Sequence, residues 1–374
     1  MEGIALTQKG IEQISAKEIK EIINSDAEIK EFHIRFGIKN YKELCHLAYK
    51  AQSIERIMLL LDSFPVDKNF FEVAAGRINK SDLTEWISGK KYVIRCVREG
   101  LHDFKSVDAE SNIGKKIYPL LNKKYNSSVD FDNPQIILLI FIINNEAYFG
   151  IDFAGFEMNK REYKIFPNSS SLRPTIAYAL VRLSCFENGK TLLDPFIGDG
   201  GVVIEAAIYS SGFSVNYYRK EKFIFCGYDF IKGKAEKLLS RLDKKSSAKS
   251  DIYGFDSLYR NVDSAKKNAK IAGVNDIINF SRVAIDWIDI KFKERTVDCI
   301  ATKIPPIKDK KDEKLINDFF YQTEYVLKDD GKISVLTLYK EKVIELALKN
   351  KLKLNREVDA YSGRQKVYFL VFVK

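Results

Sequence analysis

The sequence predicts an α/β protein with a doubly wound parallel sheet in its C-terminal half, preceded by smaller α+β regions. From about residue 174 onward, short apolar segments with strand character alternate with segments of helical periodicity. A glycine-rich turn follows the first of these strands, and a second unit of strand, acidic residue and helix follows about 60 residues later. Such alternation is typical of parallel sheets.

The glycine-rich turn is Asp194-Pro195-Phe196-Ile197-Gly198-Asp199-Gly200-Gly201. It follows the apolar residues 191–193 and leads into the small and apolar residues 202–207. Glycine has no Cβ, so the backbone can adopt positive φ and a ligand can lie directly on it. The glycine spacing differs from the Gly-x-Gly-x-x-Gly pattern of dinucleotide sites. The pattern therefore predicts a strand, a cofactor-approach loop and the start of a helix.

The second unit is a short strand, 252–256, that ends in Asp256, followed by a helix over 265–272 with Gly273 at its end. An acid at the carboxyl end of the second strand can accept hydrogen bonds from both ribose hydroxyls of a nucleoside cofactor. We therefore predict that Asp256 binds a ribose. The alternative is that Asp194 and Asp256 only cap helices.

The turn after the first strand resembles motif I of the class I S-adenosylmethionine-dependent methyltransferases. The resemblance implies S-adenosylmethionine as the cofactor and a Rossmann-like methyltransferase domain. The implied contacts are Asp194, Pro195, Phe196, Gly198, Asp199 and Gly200, with Asp256 at the sugar. The family often has an acid after the third strand, predicted here over 277–283, but Ala284 stands at that position. Asp286, two residues later, is either the adenine contact or a solvent-facing loop acid.

Length and composition favour a multidomain protein without a membrane segment. A chain of 374 residues suffices for two or three domains, and its net charge of +10 suits a polyanionic partner, although a well-solvated surface has the same composition. We find no apolar run of about 18 residues and no signal peptide pattern, so we expect a cytoplasmic protein. Five cysteines without Cys-x-x-Cys spacing and three histidines predict reduced thiols and no metal site.

The N-terminal half is predicted to contain two modules. A strand over 3–7 and a helix over 11–23 indicate a small α+β unit, and a further α/β region has strands over 91–98, 135–143 and 147–153. A polar stretch of 159–173 indicates a linker, and 244–250 is a loop rich in lysine and serine. The predicted boundaries are a ferredoxin-like domain over 1–55, a second module over 56–160, a linker over 161–174 and the Rossmann-like domain over 175–374.

Several motifs in the middle region resemble a THUMP domain, a module known for RNA binding ahead of methyltransferase domains. They are the segments 95–100, 102–106, 113–116, 129–134 and 160–163. Together with 172–177 and motif I, nearly the whole chain resembles the archaeal THUMP-containing tRNA guanine-N2-methyltransferases, in particular those that modify nucleotide 6 of the acceptor stem. The implied partner is tRNA, and we expect a monomer. The residues where the THUMP pattern coincides with positive charge are Arg95, Arg98, Lys115, Lys116, Lys160 and Arg161.

The loop after the fourth strand departs from the family pattern. Related enzymes carry Asn/Asp-Pro-Pro-Tyr or Asn-Leu-Pro-Tyr there, and the chain has Lys303-Ile304-Pro305-Pro306. Lys303 falls at the acceptor position and Pro306 at the aromatic one, although a protonated lysine has no acceptor. In one alternative, the carbonyls of Ile304 and Pro305 accept the amino hydrogens, and Phe166 or Tyr361 stacks on the base. Lys303 could instead contact phosphate or act as a base, or the protein could bind RNA without transferring methyl groups.

The predicted activity is methyl transfer from S-adenosylmethionine to the exocyclic N2 of a tRNA guanosine, at nucleotide 6 by resemblance. The alternatives are a tRNA-binding protein that has lost methyl transfer and a DNA amino-methyltransferase. Methylation of pyrimidine carbon 5 needs a cysteine after the proline of the fourth-strand loop. None follows Pro305 or Pro306, and Cys299 lies within the predicted strand, so this route is excluded.

Overall fold

The structure is a computed structural model that describes residues 1–243, 250–362 and 365–374. The chain forms two compact units. One comprises Met1–Thr7, Ser15–Met158 and Asn216–Leu242, and the other comprises Gln8–Ile14, Asn159–Val215 and the described part of Asp243–Lys374. The predicted loop over 244–250 lies outside the described residues apart from Ser250.

The first unit is built on a sheet of eight strands in the order β2-β3-β1-β4-β8-β7-β5-β6. The strands are β1 Glu2–Leu6, β2 Ala27–Lys30, β3 His33–Gly37, β4 Arg56–Pro65, β5 Lys91–Glu99, β6 Ser128–Val129, β7 Ile136–Ile143 and β8 Glu146–Asp152. Because β1 pairs with β4, the predicted modules over 1–55 and 56–160 share one continuous sheet. The shared sheet does not mark a boundary at residue 55, and the predicted domain boundaries stay predictions.

The described residues include twelve α-helices. They are α1 Glu12–Ile23, α2 Tyr41–Lys50, α3 Phe70–Lys80, α4 Thr84–Ile87, α5 Ser106–Tyr125, α6 Pro174–Leu183, α7 Gly201–Ser211, α8 Ala235–Ser240, α9 Tyr259–Ala272, α10 Ile288–Lys291, α11 Lys310–Val326 and α12 Lys340–Lys349. In α5, the buried residues Ala109, Ile113, Ile117 and Leu121 recur every four positions, as an amphipathic helix requires.

Residues 216–242 lie in the chain between elements of the second unit, but they complete the core of the first. Phe223, Phe225 and Tyr228 are buried in the same apolar cluster as β7 and α5 side chains. The Tyr228 hydroxyl also donates to the carbonyl of Asp152. This insertion is therefore a structural part of the first unit.

The second unit contains a sheet of seven strands in the order β11-β10-β9-β12-β13-β15-β14. The strands are β9 Thr191–Asp194, β10 Asp251–Asp256, β11 Ile278–Arg282, β12 Val297–Lys303, β13 Leu327–Thr337, β14 Lys353–Ser362 and β15 Gln365–Val373. The pairs among β9 to β13 are parallel, and β15 is antiparallel to both of its neighbours. The predicted Rossmann-like sheet is confirmed, and β14 and β15 form an antiparallel hairpin at its edge.

The strand order reverses at β9, which lies between β10 and β12. In doubly wound sheets, ligands bind beyond the carboxyl ends of the strands at such a switch point. Asp194 ends β9, Asp256 ends β10 and Lys303 ends β12. The topology therefore brings the three predicted site segments to one place.

Candidate functional site

A cavity of about 1060 Å³ lies at the switch point of the second unit. This volume is at the upper end of the range for small-molecule sites, so the cavity can hold a nucleoside cofactor together with part of a second ligand. Side chains from 167–170, 195–196, 256–264, 283–286 and 303–318 line it. The lining includes the predicted Pro195, Phe196, Asp256 and Asp286, and all four of Lys303, Ile304, Pro305 and Pro306.

Asp194 is buried beneath the glycine-rich loop and is not among the lining residues. Its Oδ1 accepts hydrogen bonds from the Thr302 hydroxyl at 2.6 Å and from the Phe196 amide at 3.2 Å. Burial raises the pKa of this carboxyl to about 7, and the charges of Asp256 and Asp199 act in the same direction. Asp194 therefore joins the end of β9 to the end of β12 behind the cavity wall.

The glycines of the loop are required by sterics. Gly198 has φ +54°, and a Cβ on it would lie 2.3 Å from Ser170 Oγ. Gly200 has φ +86°, and a Cβ there would lie 2.9 Å from the Cβ of Ala265. A side chain at either position would collide with a neighbouring segment as well as strain the backbone.

Asp256 presents an oriented carboxylate to the cavity. Its Oδ2 accepts from the Gly198 amide at 3.3 Å and from Asn261 Nδ2 at 3.0 Å, and its Oδ1 accepts from the Leu258 amide at 2.9 Å. Asn261 in turn accepts from Asn168 Nδ2 at 3.3 Å. Each carboxylate oxygen can accept more than one hydrogen bond, so these partners fix the group and leave capacity for ligand hydroxyls.

Asp286 and Ala284, the two predicted candidates after the third strand, both line the cavity. The Asp286 backbone carbonyl accepts from Gln322 Nε2 at 3.4 Å, whereas its exposed carboxylate accepts no hydrogen bond from the described residues. The apolar side chains Leu258, Val283 and Ile285 line the cavity nearby. This part of the site fits a flat heterocycle with an amino group at its edge.

The loop after β12 has no side-chain acceptor at its first position. Lys303 Nζ donates to the Ser170 carbonyl at 3.3 Å, and burial lowers the pKa of this amine while Asp199 opposes that effect. The Ile304 amide donates to Leu336 O, which holds the loop to β13. Among the described residues, no donor reaches the carbonyl oxygens of Ile304 and Pro305.

Among the described residues that line the cavity, one is aromatic, Phe196. Its ring centroid lies 5.5 Å from that of Phe319. The two rings suggested for stacking, Phe166 and Tyr361, are not among the lining residues. Lys9 Nζ lies 5.4 Å from the Tyr361 ring, and Lys267 Nζ lies 5.4 Å from the Phe166 ring. A stacking role for either ring stays a prediction.

Residues 161–171, predicted as part of a linker, pack into the second unit. The Arg161 guanidinium Nε lies 3.0 Å from Glu205 Oε1, to which the Tyr163 hydroxyl also donates at 2.7 Å. Asn268 bonds both the amide and the carbonyl of Phe166. The polar composition that indicated a linker therefore reflects a network of hydrogen bonds around the cavity.

That network contains the site residues that the sequence analysis missed. Lys164 Nζ lies 3.3 Å from Asp199, which also accepts from the Ser171 hydroxyl at 2.5 Å. Asn168 and Ser170 line the cavity. The signal available in the sequence was the run of asparagine and serines over 168–171 and the asparagine five residues after Asp256.

The predicted RNA contacts are spread over different places. In the first unit, Arg95 donates to Phe131 O at 2.9 Å, Arg98 to His102 Nδ1 at 3.0 Å, and Lys116 pairs with Glu72 at 2.5 Å, while Lys115 is exposed. In the second unit, Lys160 is exposed, but the Arg161 side chain is fully buried. Arg161 cannot reach phosphate in this position because its guanidinium is committed to Glu205. The other five stay predictions.

Three further expectations concern the Cys299 thiol, metal binding and membrane-spanning helices. Burial raises the pKa of the Cys299 thiol to about 12, which fits a packed strand residue better than a nucleophile. Within the described ranges, no group of three or more His, Cys, Asp or Glu side chains is arranged to hold a metal ion. No helix in the described part of the chain is long and apolar enough to cross a membrane.

The strand order, the glycine loop and the acid at the end of β10 define a class I methyltransferase fold. Residues 161–366 match the family described as RMKL-like, methyltransferase domain, and the chain belongs to that family. Residues 73–152 match the THUMP domain, which confirms the predicted module.

Named proteins of other organisms are similar to most of this chain. The tRNA (guanine(6)-N2)-methyltransferase of Methanocaldococcus jannaschii is 29% identical over 367 residues, covering 95% of each chain. The protein of the same name from Archaeoglobus fulgidus is 25% identical over 72% of this chain and 66% of its own. Among solved structures, SMU.472 in complex with SAH has a TM-score of 0.81 at 20% identity, covering 100% of this chain and 97% of that one. TrmN from Thermus thermophilus has a TM-score of 0.71 at 21% identity, covering 100% and 99%.

Proposed function

We propose that this protein transfers a methyl group from S-adenosylmethionine to the exocyclic N2 of a tRNA guanosine, at nucleotide 6 of the acceptor stem. The observation that carries the proposal is that one cavity brings together Asp256, the glycine-rich loop and the loop over 303–306. The choice of nucleotide rests on the similarity to the Methanocaldococcus jannaschii enzyme along 95% of both chains.

The cavity fits S-adenosylmethionine in shape and in its donor and acceptor groups. Asp256 would accept the ribose hydroxyls, because its carboxylate is held at the cavity wall by Gly198 and Asn261. Asp286 would accept from the adenine amino group while Leu258 and Ile285 cover the faces of the ring. The backbone of 194–200 would lie under the methionine portion, and Gly198 and Gly200 allow its positive φ angles.

Bound S-adenosylmethionine supplies an electrophilic methyl group, and the protein must place the guanosine amino group in line with it. The amino lone pair is delocalised into the ring, so acceptors on its N–H groups favour attack by localising charge on nitrogen. Ile304 and Pro305 line the cavity, and no donor of the described residues occupies their carbonyl oxygens. We therefore assign this role to backbone groups, which explains how the loop can function without the usual Asn or Asp side chain.

Lys303 has a different part in this proposal. An ammonium offers only donors, so it cannot replace an amide oxygen that accepts from the guanine amino group. Its donation to Ser170 O ties the loop to the segment over 167–170 on the facing wall. We propose that Lys303 positions the loop, and that Phe196 is the ring available for contact with the extruded base.

The THUMP domain supports a tRNA substrate because THUMP domains are known as RNA-binding modules. A separate module that grips the tRNA end can set a fixed distance to one stem nucleotide, which selects by shape rather than by base sequence. Lys115, Lys116 and Lys160 are exposed predicted contacts. The monomeric state and cytoplasmic location also stay predictions.

The test is incubation with S-adenosylmethionine labelled in its methyl group and with either unmodified tRNA or duplex DNA. We expect label in tRNA alone. The matched control is Asp256→Ala, which should strongly reduce transfer at a cofactor concentration near the wild-type KM while leaving tRNA binding intact. Label in duplex DNA would favour a DNA amino-methyltransferase, and tRNA binding with no label would favour a protein that has lost methyl transfer.

A further inference from the structure

The cavity carries more positive charge than its cofactor needs. Five cationic side chains line it, and three carboxylates face them, namely Asp256, Asp286 and Asp318. The cations are Arg260, Lys303, Lys308, Lys311 and Lys314. S-adenosylmethionine is itself a net cation, so this excess does not serve the cofactor. A polyanionic second ligand would account for it.

The cations differ in whether a carboxylate neutralises them. Lys314 Nζ lies 2.8 Å from Asp318, and other lysines of the second unit, such as Lys342 and Lys349, are similarly paired. Lys308 and Lys311 form no ion pair with any described residue although acids stand beside them in the chain. Their charges are therefore available at the cavity, where an unpaired ammonium favours an anion from outside.

The backbone that carries these two lysines is fixed by its own hydrogen bonds. The Asp309 side chain accepts from the amides of Lys311 and Asp312, at 2.8 Å and 2.9 Å. Asp312 Oδ2 accepts from the Lys308 amide at 2.9 Å. The acids of this segment thus hold the main chain at the start of α11, and both ammonium groups stay free of them. The lysines are presented from defined positions a few residues after the loop over 303–306.

We propose that Lys308 and Lys311 bind the phosphodiester groups that flank the target nucleotide, which deepens the proposed function and rests on it. Extruding a base from a stem costs unstacking energy of a few kcal/mol, and holding the adjacent phosphates can offset part of that cost. Phosphate contacts position a nucleic acid without reading its sequence. The two lysines thereby set the depth at which the guanosine enters the cavity.

The test uses three variants, Lys308→Gln, Lys311→Gln and the double variant that carries both changes. Lys310→Gln is the control for the single variants. Lys310 is exposed on the same turn and is not among the lining residues, so its substitution changes the net charge equally. For the double variant, we expect KM for tRNA to rise about tenfold, with kcat and KM for S-adenosylmethionine unchanged. The slope of log KM against log salt should fall by about 1.8 if two duplex phosphate contacts are lost. Lys310→Gln should match the wild type.

Three outcomes would overturn this inference or its basis, and they differ from one another. Equal losses in Lys310→Gln and Lys311→Gln would show a general field effect rather than a site. An active wild type with an unchanged double variant would contradict the phosphate site alone. A wild type that methylates no tRNA guanosine would contradict the proposed function and the site together.

Discussion

The Thr302 hydroxyl donates a 2.6 Å hydrogen bond to the buried carboxyl of Asp194, joining two strand ends 108 positions apart in the chain. Lys303, the residue after Thr302, lines the cavity, whereas the buried Asp194 does not. The geometry of the loop over 303–306 is thus set partly by an acid in motif I. Because burial raises the pKa of that acid to about 7, its ionisation affects the stability of the fold.

Replacing Asp194 by Asn should change how stability depends on pH. The folded pKa of about 7 lies above the unfolded value of about 3.9, so the unfolded chain loses this proton first. Between these two values, stability conferred by the protonated group is lost as pH rises, by up to about 1.4 kcal/mol per pH unit, and the loss levels off above about pH 7. From pH 5 to 7, the free energy of unfolding should therefore fall in the wild type and not in Asp194→Asn. Urea unfolding of both proteins at each pH measures this difference. A difference independent of pH would contradict this.

Removing the carboxylate of Asp256 should weaken cofactor binding by at least about 100-fold. Two hydrogen bonds from ribose to a charged group are lost, each worth about 1.5–3 kcal/mol, and 1.4 kcal/mol corresponds to a factor of ten. Calorimetry with S-adenosylmethionine and Asp256→Ala measures this loss. Asn261→Ala leaves the carboxylate but removes its 3.0 Å donor, so a smaller rise in KM for the cofactor with unchanged kcat is expected. Wild-type affinity in Asp256→Ala would reject Asp256 as the ribose acid.

A side chain at residue 198 should damage the cofactor site, and a second substitution should partly restore it. Gly198→Ala adds a Cβ 2.3 Å from Ser170 Oγ and strains a backbone with φ +54°. We expect cofactor affinity to fall at least about fivefold, since the strain alone is worth about 1 kcal/mol and 1.4 kcal/mol corresponds to a factor of ten. Combining it with Ser170→Ala removes the collision and leaves the strain. Failure of Ser170→Ala to restore any affinity would show that strain alone explains the loss.

The buried pair of Arg161 and Glu205 should be needed as a pair. Glu205→Leu leaves a buried guanidinium without its carboxylate, and such changes cost about 3–5 kcal/mol. The double variant Arg161→Met with Glu205→Leu removes both charges and should recover much of that loss. Urea unfolding of the single and double variants measures the coupling. A double variant whose loss equals the sum of the two single losses would show that the pair contributes no specific interaction.

The parts of the site that lie near strand ends could be predicted from the sequence. Asp256 is an example, because a short apolar strand followed by an acid and a helix places that acid at the carboxyl edge of a parallel sheet. The resemblance to the methyltransferases implied Phe196 and Asp286, and both line the cavity. A local sequence pattern is enough to predict a site residue when the sheet topology fixes where the end of that strand lies.

Contacts made across the fold could not be predicted in this way. The polar residues over 159–173 have the composition of a linker, and only the folded arrangement shows that Ser170 abuts Gly198 and that Asn168 reaches Asn261. Arg161 had the charge expected of an RNA contact, but its partner Glu205 is 44 positions away. Composition does not reveal whether a polar residue is solvated or buried against a distant partner.

The protein should methylate one tRNA guanosine in the cavity at the ends of β9, β10 and β12. Mass spectrometry of nucleosides and ribonuclease fragments of tRNA, after incubation with the protein and S-adenosylmethionine, measures this. We expect N2-methylguanosine in the fragment that contains nucleotide 6, and much less of it with Asp256→Ala when the cofactor is limiting. Tight tRNA binding without any methylated guanosine, or methylation of a different base, would contradict the proposed activity.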